Sequence, residues 1–364
     1  MGRRLWRNFD FVLLGATILL IVLGVGVIYS ATLDTPDLAD LPYRQIIYAV
    51  LGLGIMFAVA AIDYRFLESF QKPIYVVAVA LPAIVFIIGE ITHGAQRWIK
   101  FKVFSVQPSE LTKVLVIVVL AKYLADHQED IGRLRYVLLS IIYVIPPMIL
   151  IYLQPDLSTA VVLAVIWLVL VLMAGMRLLH LGVLGIVGVL ATPLVWVTMK
   201  DYMRQRLITF VTPMYDPLGS AYNINQARIA IGSGGWLGRG FARGSQSQLH
   251  FLRVRHTDFI FSVLGEELGL VGALLLIILL VIVLWRITRA AGMARDTFGY
   301  LIACGVAATF SFQAMANIAM NLGLLPTTGI PLPFISYGGS SLITFLIAEG
   351  LVQSVVMRYK KIEF

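Results

Sequence analysis

The chain reads as an all-α polytopic membrane protein of about ten transmembrane helices, with one long extracytoplasmic loop between helices 7 and 8. Three observations carry that reading. Of 364 residues, 59% are hydrophobic and only 13% charged, whereas a soluble domain carries roughly a quarter charged residues. Mean hydropathy is +0.89. Apolar runs near 20 residues recur along the sequence, the length a bilayer core asks of a helix.

The spans fall near 11–30, 46–62, 74–91, 109–125, 137–153, 157–175, 178–198, 270–288, 298–318 and 338–357. The first follows Arg3, Arg4 and Arg7 as a signal peptide would. Its apolar stretch is too long for an h-region and no small-residue cleavage site follows, so it is expected to be retained. The fourth is the least apolar, because it holds Glu110, Lys113 and Lys122. Residues 1–364 are expected to form a single integral membrane domain. The one cysteine, Cys304, lies within a span, which excludes an intramolecular disulfide and a cysteine metal cluster.

Charge sets the expected orientation. Arg133, Arg135, Arg177, Arg286, Arg289, Arg295, Arg358, Lys360 and Lys361 fall on the same side as the N-terminal arginines. That side is expected to be cytoplasmic, with both termini on it. The net charge of +8 is accounted for by such anchoring, and nucleic acid is not called for. Asp34, Asp37 and Asp40 fall on the outer side. Two outer loops break the rule. One, near 92–108, carries Arg97, Lys100 and Lys102. The other, 199–269, has eight basic residues against five acidic. Long loops translocate regardless of charge, but cations gathered outside a cell suggest an anionic ligand, such as a lipid phosphate or pyrophosphate.

The 199–269 loop is too long to be a mere connector and too rich in apolar and aromatic residues to be disordered. It ends on His256-Thr257-Asp258 beside Phe259-Ile260-Phe261. A carboxylate at the membrane boundary is partly desolvated, which raises its pKa and makes it a better base. The competing role for Thr257 or Asp258 is a helix cap. Pro108 suits a first helical turn, and Glu110 and Lys113, three apart, share a helix face. Buried ionisable groups face a cavity or each other. The pair therefore marks a cavity even if its role is a structural ion pair. Arg204 and Arg206, with Arg97, suit a bidentate pyrophosphate clamp; the alternative is loop solvation or lipid headgroup contact. The glycine-rich run from Gly232 to Gly244 lacks the setting and lysine of a P-loop and is read as tight turns. The prolines at 326, 331 and 333 and the Gly338-Gly339 pair predict non-helical backbone that lines a cavity or is buried in protein. Glu349 and Gln353 are read as inter-helix hydrogen bonders. No His/Asp/Glu set has metal spacing and no Ser-His-Asp order stands out. A divalent cation, magnesium or manganese, bridging pyrophosphate to Asp258 or Glu110 is chemically sensible, and no organic cofactor is implied.

The stretches QPSELTK at 107–113, QPDLSTA at 154–160, RQRLITF at 204–210, DPLGSAYNINQARIAIGSGGWLGRG at 216–240, GSQSQLHFL at 244–252, HTDFIFSVLGEELGLVG at 256–272 and GLLPTTGIPLPFISYGGSS at 323–341 together resemble the SEDS family (shape, elongation, division and sporulation). The resemblance spans nearly the whole chain. Ser245-Gln246-Ser247-Gln248 and Arg204-Gln205-Arg206 resemble the RodA-like elongation branch more than the FtsW-like division branch. Arg253-Val254-Arg255 stands where the family commonly has a Pro-Glu pair, Thr212 where an acidic residue is common, and Ser158 where glycine is common.

The resemblance implies a peptidoglycan glycosyltransferase that polymerises lipid II in the bacterial inner membrane, active on the outer face, for cell elongation and shape. It implies Asp258 as the essential carboxylate and Glu110 and Lys113 as supporting cavity residues. Within the matching stretches, His256, Gln154 and Ser336 join Arg97, Arg204 and Arg206 as the expected set for pyrophosphate and lipid II. It also implies partners: a class B penicillin-binding protein that crosslinks the glycan, and other elongation-complex membrane proteins. Rival readings are a lipid II flippase, a division-type polymerase, a ligase of the O-antigen type and a non-catalytic scaffold. The concentration of polar residues near the outer face favours outside chemistry over a path through the membrane.

Overall fold

A computed structural model describes residues 6–33, 35–92, 95–100, 105–212, 220–249, 251–252 and 254–359. Arg3, Arg4, Asp34, Lys102, Arg253, Lys360, Lys361 and the 216–219 stretch lie outside them.

Every expected span coincides with a helix. In chain order these are α1 Phe11–Thr32, α2 Leu41–Ala61, α3 Gln71–Ile88, α4 Pro108–Asp126, α5 Leu134–Leu153, α6 Leu157–Met173 and α7 Leu178–Thr198; then, after the loop, α11 Ile260–Gly292, α12 Thr297–Asn321 and α13 Gly339–Met357. Eight helices among the described residues are long and apolar enough to cross a membrane. The other two differ for visible reasons: α6 has 17 residues, and α4 carries its buried charges.

α12 is the hub, packed against α11, α4, α6 and α13, while α13 lies along α2. Their approach is close. A Cβ added at Gly350 of α13 would stand 2.7 Å from the Met56 carbonyl oxygen of α2, the small-residue contact that helices in lipid rely on. No residue of α7 is buried.

The two ends of the bundle are held by different chemistry. At one end Asp10 caps α1, accepting from Val12 N and Leu13 N, and pairs with Arg286 at 2.6 Å. Tyr64 donates to Asp296 at 2.7 Å, and Arg358 donates to the Ala60 and Ala61 carbonyls. At the other end stands a feature the hydropathy pattern does not reveal. Strands β1 Glu90–Thr92, β2 Ala95–Lys100 and β3 Ser105–Val106 form a small antiparallel sheet in that order. Gln107 N, just beyond it, donates to Ser340 Oγ at 2.9 Å.

The long loop is largely helical, with α8 Asp201–Val211, α9 Ser220–Gly234 and the single turn α10 Ser245–Gln248. α11 begins at Ile260, ten residues before the apolar run, and breaks at Gly269, where φ is 64° and ψ −160°. The backbone groups around this break find partners in the glycine-rich run. Leu270 N donates to Gly235 O at 2.9 Å and Val271 N to Trp236 O at 3.1 Å. Arg239 N and Gly240 N donate to the Glu266 and Glu267 carbonyls. Non-helical backbone at a bundle mouth persists only where it is satisfied in this way. The glycines serve as turns for close backbone approach: a Cβ at Gly238 would stand 2.1 Å from Glu267 O.

Candidate active site at the mouth of the bundle

Asp258 sits two residues before α11. The helix is capped by Phe259 with no side-chain hydrogen bond, so neither Thr257 nor Asp258 is its cap. The segment is fixed instead through its carbonyls. Asn317 Nδ2 and Asn321 Nδ2, on α12, both donate to Asp258 O, at 3.1 and 3.0 Å. Ser336 Oγ donates to Thr257 O at 2.7 Å, and Tyr337 N donates to His256 O at 2.9 Å. With its main chain held, Asp258 lines a cavity of about 400 Å³ together with Glu110, Arg97, Arg206, Asp156 and Gln313.

Burial pushes the Asp258 carboxyl above the usual aspartate value of 3.8; Arg206 opposes this most, then a hydrogen bond from Thr257, then Arg97. The carboxyl is thus a stronger base than an exposed one while remaining ionisable beside cations. Arg206 donates Nη1 to Thr327 O at 3.2 Å. The chain passes between Arg206 and Asp258 at Gly329, whose φ is 68°. A Cβ there would lie 3.8 Å from both Arg206 Nη1 and Asp258 Oδ2.

Arg97 enters the cavity from β2. Its guanidinium donates to the Gln154 carbonyl at 3.2 Å and to the Pro155 carbonyl, and lies 3.9 Å from Asp156 Oδ1. Asp156 caps α6, accepting from Thr159 N and Thr159 Oγ1, and accepts from Gln107 Nε2 at 3.1 Å. In α4, Glu110 is 3% exposed and Lys113 1%. Lys113 Nζ donates to both Glu110 carboxylate oxygens, at 2.8 and 2.9 Å.

Four expected ligand residues do not line this cavity. Arg204 turns back to donate to the Trp196 and Val197 carbonyls at the end of α7. It is two residues from Arg206 on a helix, and residues so spaced do not share a face. Gln154 sends its side-chain amide to Pro82 O at 2.6 Å. Ser336 is occupied with Thr257 O and Leu332 N. His256 is half-buried, its ring 5.9 Å from that of Tyr337. Burial and then Arg255 lower its pKa to about 4. Gln154, Ser336 and His256 therefore shape the segments around the site, and Arg204 caps a helix.

Asp156, Asn317 and Asn321 are absent from the sequence reading. The signals were present: an Asp three residues before Thr159, as in an N-cap, and amides four apart on one face of an apolar helix. The departure at Arg255 also has an explanation. Its side chain is buried and donates to Ala31 O at 2.5 Å and Thr35 Oγ1 at 2.7 Å, which ties the loop to the end of α1.

The sequence model of the cell cycle protein family that includes FtsW, RodA and SpoVE matches residues 11–361. The chain belongs to this family. It is 37% identical over 354 residues to the peptidoglycan glycosyltransferase MrdB of Escherichia coli (strain K12), covering 95% of this chain and 94% of that protein. Its fold matches a chain from a peptidoglycan synthase complex, studied for the structural coordination of polymerization and crosslinking, with a TM-score of 0.82. Identity there is 32%, and 96% and 97% of the two chains are covered. The rod shape determining protein RodA of Thermus thermophilus matches with a TM-score of 0.74 and 30% identity, covering 98% and 99%. Membership in the FtsW/RodA/SpoVE family thus rests on nearly the whole chain. Asp258, Glu110 and the asparagine pair all lie inside the matched range.

Proposed function

We propose that this chain is an inverting peptidoglycan glycosyltransferase that polymerises lipid II, with Asp258 as its base. The observation that carries the reading is a carboxylate whose pKa is raised by burial, facing a cavity that it shares with Arg206 and Arg97. The donor carries a polyprenyl pyrophosphate on its anomeric carbon. Asp258 takes the proton of an acceptor sugar hydroxyl. The hydroxyl oxygen forms the new bond to the anomeric carbon, and the pyrophosphate leaves with the electron pair of the broken C–O bond. One in-line displacement inverts the centre, so no second, nucleophilic carboxylate is required. Arg206 and Arg97 offset the charge on the departing pyrophosphate.

A membrane-embedded tail must reach this site. A cavity of about 700 Å³ runs between α2, α4 and α13, lined by Tyr43, Ile47, Leu51, Leu111 and Ile347 among others, and Gln107 lines both it and the Asp258 cavity. An apolar groove meeting a cationic pocket suits a polyprenyl pyrophosphate.

Among the described residues no three His, Cys, Asp or Glu side chains form a metal cluster. Lys113 holds Glu110 and Arg97 faces Asp156, so among the carboxylates of this cavity Asp258 is the one that would hold a magnesium or manganese ion together with the substrate. That is the way magnesium is commonly bound, and it would supply charge neutralisation of the leaving group. A crosslinking partner, a class B penicillin-binding protein, accords with the synthase complex to which the fold is similar. We place the chain in the elongation branch, in the inner membrane with cytoplasmic termini and the Asp258 end outside, on its loop motifs and basic-residue distribution.

The test is a gel-resolved polymerisation assay with lipid II, the cognate transpeptidase and divalent cation. Glycan chains from wild type and none from equally folded Asp258→Ala are expected. Near-normal polymer from the variant would remove Asp258 as the base. No polymer from wild type, with lipid II crossing liposome membranes instead, would make the chain a flippase.

A further inference from the structure

The two asparagines that hold Asp258 have different further partners. Asn317 and Asn321 are both fully buried in α12, and each donates Nδ2 to Asp258 O, at 3.1 and 3.0 Å. Asn321 directs its remaining bonds to the start of α11 and to its neighbour. Its Oδ1 accepts from Ser262 N and Ser262 Oγ, and its Nδ2 also donates to Asn317 Oδ1. Asn317 reaches elsewhere: its Nδ2 also donates to Ile330 O, at 2.8 Å. Neither amide can be turned over. The two partners of Asn317 Nδ2 are carbonyl oxygens, which only accept, and Ser262 N, which meets Asn321 Oδ1, only donates.

The Ile330 carbonyl belongs to the segment that seats Arg206. Within residues 327–331, Thr327 O accepts from Arg206 Nη1 at 3.2 Å, and Thr328 O accepts from Ser158 Oγ. Gly329, Ile330 and Pro331 line the Asp258 cavity. One amide nitrogen thus joins the main chain of the base to the main chain that seats a cation of the same cavity. The other charged groups lining that cavity are Arg97, Glu110 and Asp156. Arg97 is held by the Gln154 and Pro155 carbonyls and Glu110 by Lys113, and neither connection runs through Asn317. α12 has no charged residue of its own.

We infer that Asn317 is a positioning residue that sets the spacing between the base Asp258 and the cation Arg206, by fastening the segments of both to α12. Its effect on turnover rests on the glycosyltransferase reading above; its effect on Asp258 rests on the hydrogen bonds alone. A residue that only stabilised the fold would alter how much active protein there is. One that sets this spacing alters the titration of Asp258, and does so only while Arg206 is there to be placed.

The experiment is a double-substitution cycle of Asn317→Leu with Arg206→Gln in the full chain. Two quantities are followed. One is the pH profile of lipid II polymerisation; the other is the titration of Asp258 itself, read from the carboxyl infrared band that Asp258→Asn lacks. Asn317→Leu is expected to move the acid limb and the infrared titration upward, because the guanidinium that lowers the Asp258 pKa is no longer held in place. Once Arg206 is glutamine, it should add no further shift. The kcat is expected to fall by up to about a hundredfold, the scale of a misplacement of about 1 Å, with a smaller change in KM because Arg97 keeps its own seat. Where leucine prevents folding, Asn317→Thr carries the same cycle, since its hydroxyl can turn to the carbonyl one helical turn back. An unmoved titration, a downward one, or an equal upward shift in both backgrounds would each overturn the assignment. No polymer from wild type would remove the glycosyltransferase reading, and the infrared cycle would still decide the role of Asn317.

Discussion

Lys113 Nζ contacts both carboxylate oxygens of Glu110, at 2.8 and 2.9 Å, in a pair that water scarcely reaches. Each charge is tolerated at that depth because the other is there. Removing one leaves the other uncompensated, at a cost on the order of 3–5 kcal/mol, whereas replacing both with apolar or neutral groups is often nearly neutral. Lys113→Met should therefore lower thermal stability more than Glu110→Gln with Lys113→Met together. Equal losses from the single and double variants would show that the pair is not coupled.

Asp258 must be ionised to act as base, so polymerisation should fall as pH drops through its pKa. Burial raises that pKa above 3.8, and Arg206 is the largest influence that lowers it. The acid limb of kcat/KM should lie above the ordinary aspartate range, and Arg206→Gln should move it higher still. A limb that stays in place or moves down on that substitution would separate Arg206 from the base.

His256 has its pKa lowered from 6.5 to about 4. Below pH 6.5 the unfolded chain binds a proton that the folded chain refuses, which favours unfolding. The contribution of His256 to stability is thus fully present above pH 6.5 and declines as pH falls towards 4. His256→Gln should flatten the dependence of melting temperature on pH in that window. An unchanged slope would mean that other groups set it.

Gly329 takes φ 68° between Arg206 and Asp258, a backbone region that costs an L side chain about 1–2 kcal/mol. Gly329→Ala should lower the melting temperature accordingly. Gly292, helical with open space around its would-be Cβ, supplies the contrast, and Gly292→Ala should not destabilise. A stable Gly329→Ala would indicate that the loop relaxes away from that conformation.

Hydropathy made eight of the ten helices legible as long apolar runs, while α6 is shorter and α4 is interrupted by Glu110 and Lys113. It placed the start of α11 too late because Glu266 and Glu267 interrupt the pattern, although both are buried. Glu266 accepts from Gln246 N at 2.8 Å, and Glu267 accepts from Ser30 at 2.5 Å. Motif spacing brought Asp258, Glu110, Arg97 and Arg206 to one cavity. It misplaced Arg204 because residues 201–211 were read as loop, and only their helical turn separates the two arginines. The β1–β3 sheet left no trace in a pattern dominated by hydrophobic length. The carboxamides of α12 were readable from their spacing alone, but isolated polar residues in a span look like inter-helix contacts until their partners are known.

The break at Gly269 divides α11 into a short upper piece that continues from Asp258 and a long apolar lower piece. Main-chain bonds to the glycine-rich run stitch both sides of the break, Glu266 and Glu267 above it and Leu270 and Val271 below it. A spanning helix meets a thicker or thinner bilayer by tilting. Because that run clamps both sides of Gly269, a tilt of the helix below Val271 should leave the register of Asp258 over the cavity set by the run rather than by the lipid. An enzyme built this way should hold its turnover across bilayers of differing acyl length better than one whose reactive carboxylate rode on an unbroken helix.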